Sequence, residues 1–219
     1  LFLDELPEFG RDVLEALRQP LEEGRVAIVR VGRSLVLPAR FQLVAAMNPC
    51  PCGGPLGLEP GCRCRPGAPE RYAGRVSGPL RDRIDLWVEM PRVPPTSLMS
   101  ATTGESSAVV AARIAAVRRL QIERRGALNA VLSGSRLRSA CRLGSAEQAR
   151  LVSLAEGLEL SARGVERLLR TARTVADLED SADRTAPPAT GAQAVARRHL
   201  DEAGRFRALG VRSMDQVAV

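Results

Sequence analysis

Apolar positions recur with two different periods along this chain, and the change from one to the other divides it. Leu1-Phe2-Leu3 is a short apolar run that ends in Asp4-Glu5, which reads as a buried strand with two carboxylates at its C-terminal end. After the turn Pro7-Glu8-Phe9-Gly10, residues Val13, Leu14, Leu17 and Leu21 share one helical face, and Pro20 is expected to break or kink that helix near Arg18. Between Arg25 and Arg40 the period falls to two, with Val26, Ile28, Leu35 and Leu37 flanking Val31-Gly32-Arg33-Ser34, the pattern of a hairpin. Phe41 to Met47 reads as a second buried strand closed by Asn48-Pro49, Glu70 to Val76 as a short helix, and Leu86 to Met90 as the last strand of a first domain. Pro91, Pro94 and Pro95 stop that strand, and Thr96 to Ser107 is a polar linker.

Beyond the linker the period becomes helical. Val110, Ile114 and Val117 share a face, as do Val165, Leu168, Leu169, Ala172, Val175 and Ala176, with Ser161 placed as an N-cap. After Ser181 the periodicity weakens around Pro187-Pro188-Ala189-Thr190-Gly191, and Ala192 to Leu209 is a last helix-like piece. The expected organisation is an α/β part over 1–95, a helical domain over 96–180, and a divergent, weakly ordered tail over 181–219 to which no function is assigned.

Composition narrows the chemistry. With 219 residues, 45% of them hydrophobic, the chain can bury a core. No apolar run approaches the roughly 20 residues that span a bilayer. With no basic-then-apolar leader visible either, the expectation is a cytoplasmic protein with no membrane partner. A net charge of +7 favours a polyanionic partner such as nucleic acid. All 32 basic residues are Arg, so the chain cannot supply the Lys of a P-loop of the form G-x-x-x-x-G-K-[ST]. Because it opens on Leu, with no room for a strand and helix ahead of the acids, it reads as the C-terminal part of a longer chain. Cys50-Pro51-Cys52 and Cys62-Arg63-Cys64 bracket a Gly/Pro-rich loop over 48–66. Four thiols in two close pairs point to a metal, zinc above all, against free thiols or a redox pair. Cys141, far off in a helical stretch, reads as a buried apolar residue, and the lone His199 as a surface residue.

Several motifs in order carry a family resemblance. They are Asp4-Glu5 with Leu6-Pro7-Glu8-Phe9, Leu37-Pro38-Ala39-Arg40-Phe41, Asn48-Pro49-Cys50-Pro51-Cys52-Gly53, and Ser77-Gly78-Pro79-Leu80 with Asp82-Arg83-Ile84-Asp85. Leu160-Ser161-Ala162-Arg163-Gly164 and Ala172-Arg173-Thr174-Val175-Ala176-Asp177-Leu178 follow. Over 1–180 the chain resembles the C-terminal part of the ComM/YifB group of magnesium-chelatase-like AAA+ ATPases.

The resemblance implies a partial AAA+ core of the P-loop type, from the Walker B strand onward, with a β-hairpin ahead of the sensor strand and an α-helical lid domain behind. It implies ATP and Mg²⁺ as cofactors. Asp4 would hold the water shell of Mg²⁺, Glu5 would polarise the attacking water, and Asn48 would be the sensor at the end of the neighbouring strand. Arg83 would be the arginine finger, Arg163 the lid contact to the phosphates, and the assembly a homo-oligomeric ring, a hexamer, with DNA as partner. Arg30 and Arg33, beside the hairpin turn with no acid between Gly24 and Arg40, would face DNA phosphates in the channel. The function implied is an ATP-driven DNA motor, acting in helicase or branch-migration steps during uptake of transforming DNA, with this chain inactive by itself for want of the P-loop. The alternatives are a magnesium-chelatase-type ATPase that loads metal into a tetrapyrrole, and a zinc-stabilised DNA-binding module without turnover.

Overall fold

The computed structural model describes residues 1–53, 62–91, 93, 95–99, 104–182 and 193–215. The centre of the Gly/Pro-rich loop and the Pro187 to Gly191 stretch lie outside the described residues. The chain forms two compact units, one built on Leu1–Ile84 and the other on Asp85–Leu209.

In the first unit, β1 (Phe2–Leu3) pairs in parallel with β4 (Val44–Ala45). Backbone bonds extend the pairing on both sides, from Val44 N–H to Leu1 C=O and from Leu6 N–H to Ala46 C=O, each at 2.9 Å. The apolar run therefore lies beside the Phe41 to Met47 segment, in the register that brings Asp4-Glu5 and Asn48 to the same end, but neither strand is buried as its apolar run predicts: Phe2 is 63% and Val44 51% exposed. A 3-10 turn over Leu6–Glu8 leads into α1 (Arg11–Ala16) and α2 (Arg18–Glu23). The break between the two helices falls at Leu17, three residues before Pro20, which has no N–H to donate and crowds the carbonyl one turn earlier. Leu6, Leu14, Val76 and Leu80 are buried here, with Leu3, Leu17, Leu21, Met47 and Ile84 packed around them.

The hairpin is present as β2 (Arg25–Arg30) and β3 (Arg33–Pro38), antiparallel, joined by Val31-Gly32. Gly32 takes φ 73, which a side chain at that position would resist. Val26 is partly buried and every other hairpin position is exposed, including Val29 at 76% and Val31 at 105%. The period-two pattern thus made a ladder without making a core. Further on, α3 (Ala68–Ala73) and α4 (Gly78–Arg81) complete the unit.

The second unit is helical. Leu86 to Met90 form no strand, contrary to the alternation of their apolar residues. Leu86, Val88 and Met90 are exposed, and the Trp87 N–H donates to the Phe206 carbonyl, so no sheet neighbour holds the segment. After the short α5 (Pro95–Leu98) come α6 (Ser107–Arg125), a 3-10 turn over Asn129–Val131, α7 (Gly134–Cys141), α8 (Ser145–Gly157), α9 (Ala162–Ala182) and α10 (Arg197–Asp215). Ser161 caps α9 by accepting from the Gly164 N–H at 3.2 Å. The core is Leu132, Leu137, Cys141, Leu168, Leu169, Ala172 and Ala176, joined by Val195, Leu200 and Ala203. Weak periodicity after Ser181 therefore does not mean weak packing, since Val195 and, on α10, Leu200 and Ala203 lie in this core.

His199 is the clearest correction. It is 2% exposed, its Nε2 lies 2.5 Å from Glu179 Oε2, and its Nδ1 accepts from the Ala196 N–H at 3.0 Å. The ring thus caps the first turn of α10 and ties it to α9, a role that a search for acids nearby in sequence does not detect.

Candidate functional site

Asp4 and Glu5 are exposed at the end of β1. Asp4 Oδ1 accepts from the Glu5 N–H at 3.0 Å, and Glu5 sits in the left-handed region at φ 51. A non-glycine residue held there costs of order 1–3 kcal/mol, and such strain concentrates at functional positions. Two anchors hold the turn: the Leu6 N–H bond to Ala46, and Arg75, whose guanidinium donates to the Pro7 carbonyl at 3.1 Å and to Glu8 at 2.9 Å. Asn48 lies two residues beyond Ala46 at the same end of the strand pair. Tyr72 is only 4% exposed, and burial followed by the charges of Glu8 and Glu5 raises its pKa. Sequence reasoning passed over Tyr72 and Arg75, both on or next to the short helix α3. The signal available for Tyr72 was that it is the chain's single Tyr, set within the short helix expected over 70–76.

Arg83 is folded inward. Its Nε lies 3.2 Å from Glu22 Oε2, and Nη1 donates to the Pro79 carbonyl at 2.7 Å. The preceding motif explains the placement. Ser77 caps α4 by accepting from the Leu80 N–H at 3.4 Å and donates to Glu15 on α1 at 2.5 Å, while Leu80 is fully buried. Arg163, in the second unit, is exposed in the first turn of α9.

The four cysteines expected to bind a metal converge. Their sulfurs all lie within 4.8 Å of one another, with Cys50 to Cys52 at 3.4 Å, Cys50 to Cys62 at 3.7 Å and Cys52 to Cys62 at 3.8 Å. Tetrahedral zinc with Zn–S near 2.3 Å requires sulfur–sulfur edges of about 3.8 Å, so the cluster has the size of a zinc–thiolate site. None of the four forms a disulfide. Burial raises the pKa of Cys50 and pushes that of Cys64 up to about 12. The cluster could hold a metal ion, and the tight C-x-C spacing proves no obstacle to convergence.

On the hairpin, Arg30 and Arg33 are direct cross-strand partners. They share a face with the pairs Val26/Leu37 and Ile28/Leu35, so an apolar ladder ends in two guanidinium groups. Both are exposed, and neither has a side-chain partner among the described residues. Like charges set directly opposite each other destabilise a ladder, and here no acid relieves them.

The arginines of the second unit contrast with these. Arg173 and Asp177, one turn apart on α9, are both 0% exposed and lie 3.0 Å from each other. Asp177 also accepts from Arg125 at 2.6 and 3.0 Å and from Asn129 Nδ2 at 2.8 Å. Burial lowers the pKa of Arg125, while Asp177 works in the opposite direction. The Ala172 to Leu178 motif is thus a structural lock between α6, the 3-10 turn and α9.

Comparison with known proteins agrees with this architecture. Residues 1–98 match the family described as magnesium chelatase, subunit ChlI, and residues 104–207 match its C-terminal part. The chain belongs to the ComM/YifB group of the magnesium-chelatase-like AAA+ family. It is 44% identical over 211 residues to the uncharacterized protein YifB of Escherichia coli strain K12 and 43% identical over 210 residues to the competence protein ComM of Haemophilus influenzae. An uncharacterized protein of Mycobacterium tuberculosis is 44% identical over 192 residues, 85% of this chain and 37% of the relative. The first two matches cover 95% of this chain, which spans 39% of the length of each relative. Among the described residues no helix is long and apolar enough to cross a membrane.

Proposed function

We propose that this chain is part of an ATP-hydrolysing AAA+ motor that acts on DNA. The observation that carries the reading is the unrelieved pair Arg30/Arg33 at the end of an exposed hairpin, in a chain of net charge +7. Two guanidinium groups on one face suit phosphate oxygens, which grip a backbone without reading bases, as movement along a strand requires. The similarity to a competence protein fits a DNA substrate. In this reading the segment 1–95 is the partial ATPase core, with the hairpin ahead of the sensor strand, and 96–180 is the lid.

ATP with Mg²⁺, when bound, supplies the γ-phosphoryl group that is transferred to water. Asp4 would hold the metal's water shell, and Glu5 would orient and polarise the attacking water from its strained position at the strand end. Asn48 would donate to the phosphate or the water. Arg163 would contact the phosphates of ATP from the lid. Arg83 would reach the neighbouring subunit's nucleotide in a hexameric ring, which requires it to leave Glu22. Zinc in the Cys50, Cys52, Cys62 and Cys64 cluster would organise a loop that has little apolar content of its own.

The ChlI description also favours a second reading, a magnesium-chelatase-type ATPase that inserts metal into a tetrapyrrole. It shares the nucleotide residues but leaves the arginine pair without a role. The deciding experiment measures DNA binding and DNA-stimulated ATPase in the full-length parent, in wild type and in Arg30→Ala/Arg33→Ala. The motor reading expects weaker binding to all sequences alike, with basal ATPase retained; a double variant that binds and unwinds DNA normally would overturn it.

A further inference from the structure

Beside the acidic turn of the first unit lies a cleft of about 610 Å³ whose lining the ATPase reading does not use. Glu8 and Phe9 form one side, Arg11 leads out of it on α1, and Arg71, Arg75 and Ser77 face them. Three cations meet a single carboxylate there. Among the described residues Glu8 pairs with Arg75 alone, at 2.9 Å, and both side chains are about half exposed, so solvent screens that pair and a competing anion can reach it. Arg11 and Arg71 make no side-chain hydrogen bond or ion pair among the described residues.

We infer that this cleft is a binding site for a phosphoryl group, held by Arg11, Arg71 and Arg75, with Glu8 as an internal competitor. The chemistry favours phosphate because guanidinium groups present paired N–H donors at the spacing of its oxygens, and a doubly charged group offsets the mutual repulsion of three nearby arginines. Occupancy has a consequence at the strand end. Arg75 also holds the Pro7 carbonyl at 3.1 Å, and Pro7 lies two residues beyond Glu5, so an anion that draws Arg75 from Glu8 pulls on the turn that carries Glu5.

The phosphoryl group can come from a nucleotide or from the phosphodiester backbone of a nucleic acid, and the test separates them. Pyrophosphate binding to the full chain is measured by titration calorimetry, and binding of a fluorescent oligothymidine by anisotropy. Both are repeated with Arg11→Ala/Arg71→Ala and with Glu8→Gln. The double variant is expected to weaken at least one probe about tenfold, and Glu8→Gln to tighten the same probe, because each charge-assisted contact is a large share of a small site. Weakened pyrophosphate binding identifies a nucleotide-type ligand; weakened oligonucleotide binding alone identifies a phosphodiester. Unchanged affinity for both probes in both variants overturns the site. If the double variant loses its native far-ultraviolet circular dichroism, Glu8→Gln decides alone, and failure to tighten either probe overturns the site. Arg30→Ala/Arg33→Ala, measured in parallel, keeps this outcome separate from that of the motor reading.

Discussion

In the helical unit Arg173 is fully buried against Asp177, whereas in the first unit Arg30 and Arg33 stand in solvent facing each other. The residue type is the same and the environments are opposite. Around Asp177 the guanidinium groups have given up water for the carboxylate and, at Arg173, the carbonyls of Ala140 and Gln193, while Asn129 donates to the same carboxylate. On the hairpin nothing replaces water, so the two arginines remain available to an anion from outside. An arginine-rich composition therefore does not by itself signal nucleic-acid binding. Burial and the partners within hydrogen-bond reach sort each arginine into an internal tie or an external grip.

Experiments that probe this contrast differ in the size of their outcome. The greatest change is expected at the thiols, whose role is to replace a core. Cys50→Ser with Cys62→Ser should lower the zinc content of protein prepared without chelator from about one per chain to none, read by metal analysis. Wild-type thiols that titrate fully as free, with no metal, would remove the zinc proposal. Next comes the buried lock. Asp177→Ala leaves Arg173 and Arg125 charged without a counter-ion and should cost about 3–5 kcal/mol of stability in a denaturant melt. Arg30→Ala is exposed and unpaired and should change stability by no more than about 0.5 kcal/mol. Equal destabilisation in the two variants would erase the distinction.

The third effect is on binding. Arg30→Ala/Arg33→Ala should flatten the dependence of DNA affinity on salt by roughly one unit of slope for each phosphate no longer held. The matching change at Arg173 would act only through folding.

The weakest effect concerns Glu179, whose carboxyl is lowered to about 2, chiefly by the hydrogen bond from Arg198 and then that from His199. A lowered carboxylate contributes stability that is fully present above the unfolded value of 4.5 and is lost as pH falls toward 2. The side chain is 46% exposed, so solvent screening limits the contribution to about 1 kcal/mol. Glu179→Gln should lower stability by about that amount near neutrality and flatten the profile over the acidic window, so that variant and wild type converge as pH falls toward 2, as followed by thermal melts across pH.

Much of the fold was legible locally. The helix break ahead of Pro20, the hairpin with Gly32 at positive φ, and Ser161 as a cap all follow from periodicity and backbone rules that act within a few residues, whereas the apolar run before Asp4-Glu5 forms the expected strand without the expected burial. The convergence of Cys50, Cys52, Cys62 and Cys64 was also written in their spacing. The order of motifs identified the family, because a shared series of short patterns survives even where each one is weak.

Long-range packing settled the rest. Alternating apolar residues at Leu86 to Met90 specify a strand only if a neighbour offers its backbone, and the neighbour here is a carbonyl of α10. His199 is buried because α10 lays it against Glu179, 20 residues earlier in the chain. The opposition of Arg30 and Arg33 depends on strand register, and the meeting of Arg11, Arg71 and Arg75 on the packing of α1 against the region of α3. In each case the order of residues specifies which groups carry charge or apolar surface. Their energies depend on neighbours distant in the chain, so their roles follow from what folding places within a few ångströms.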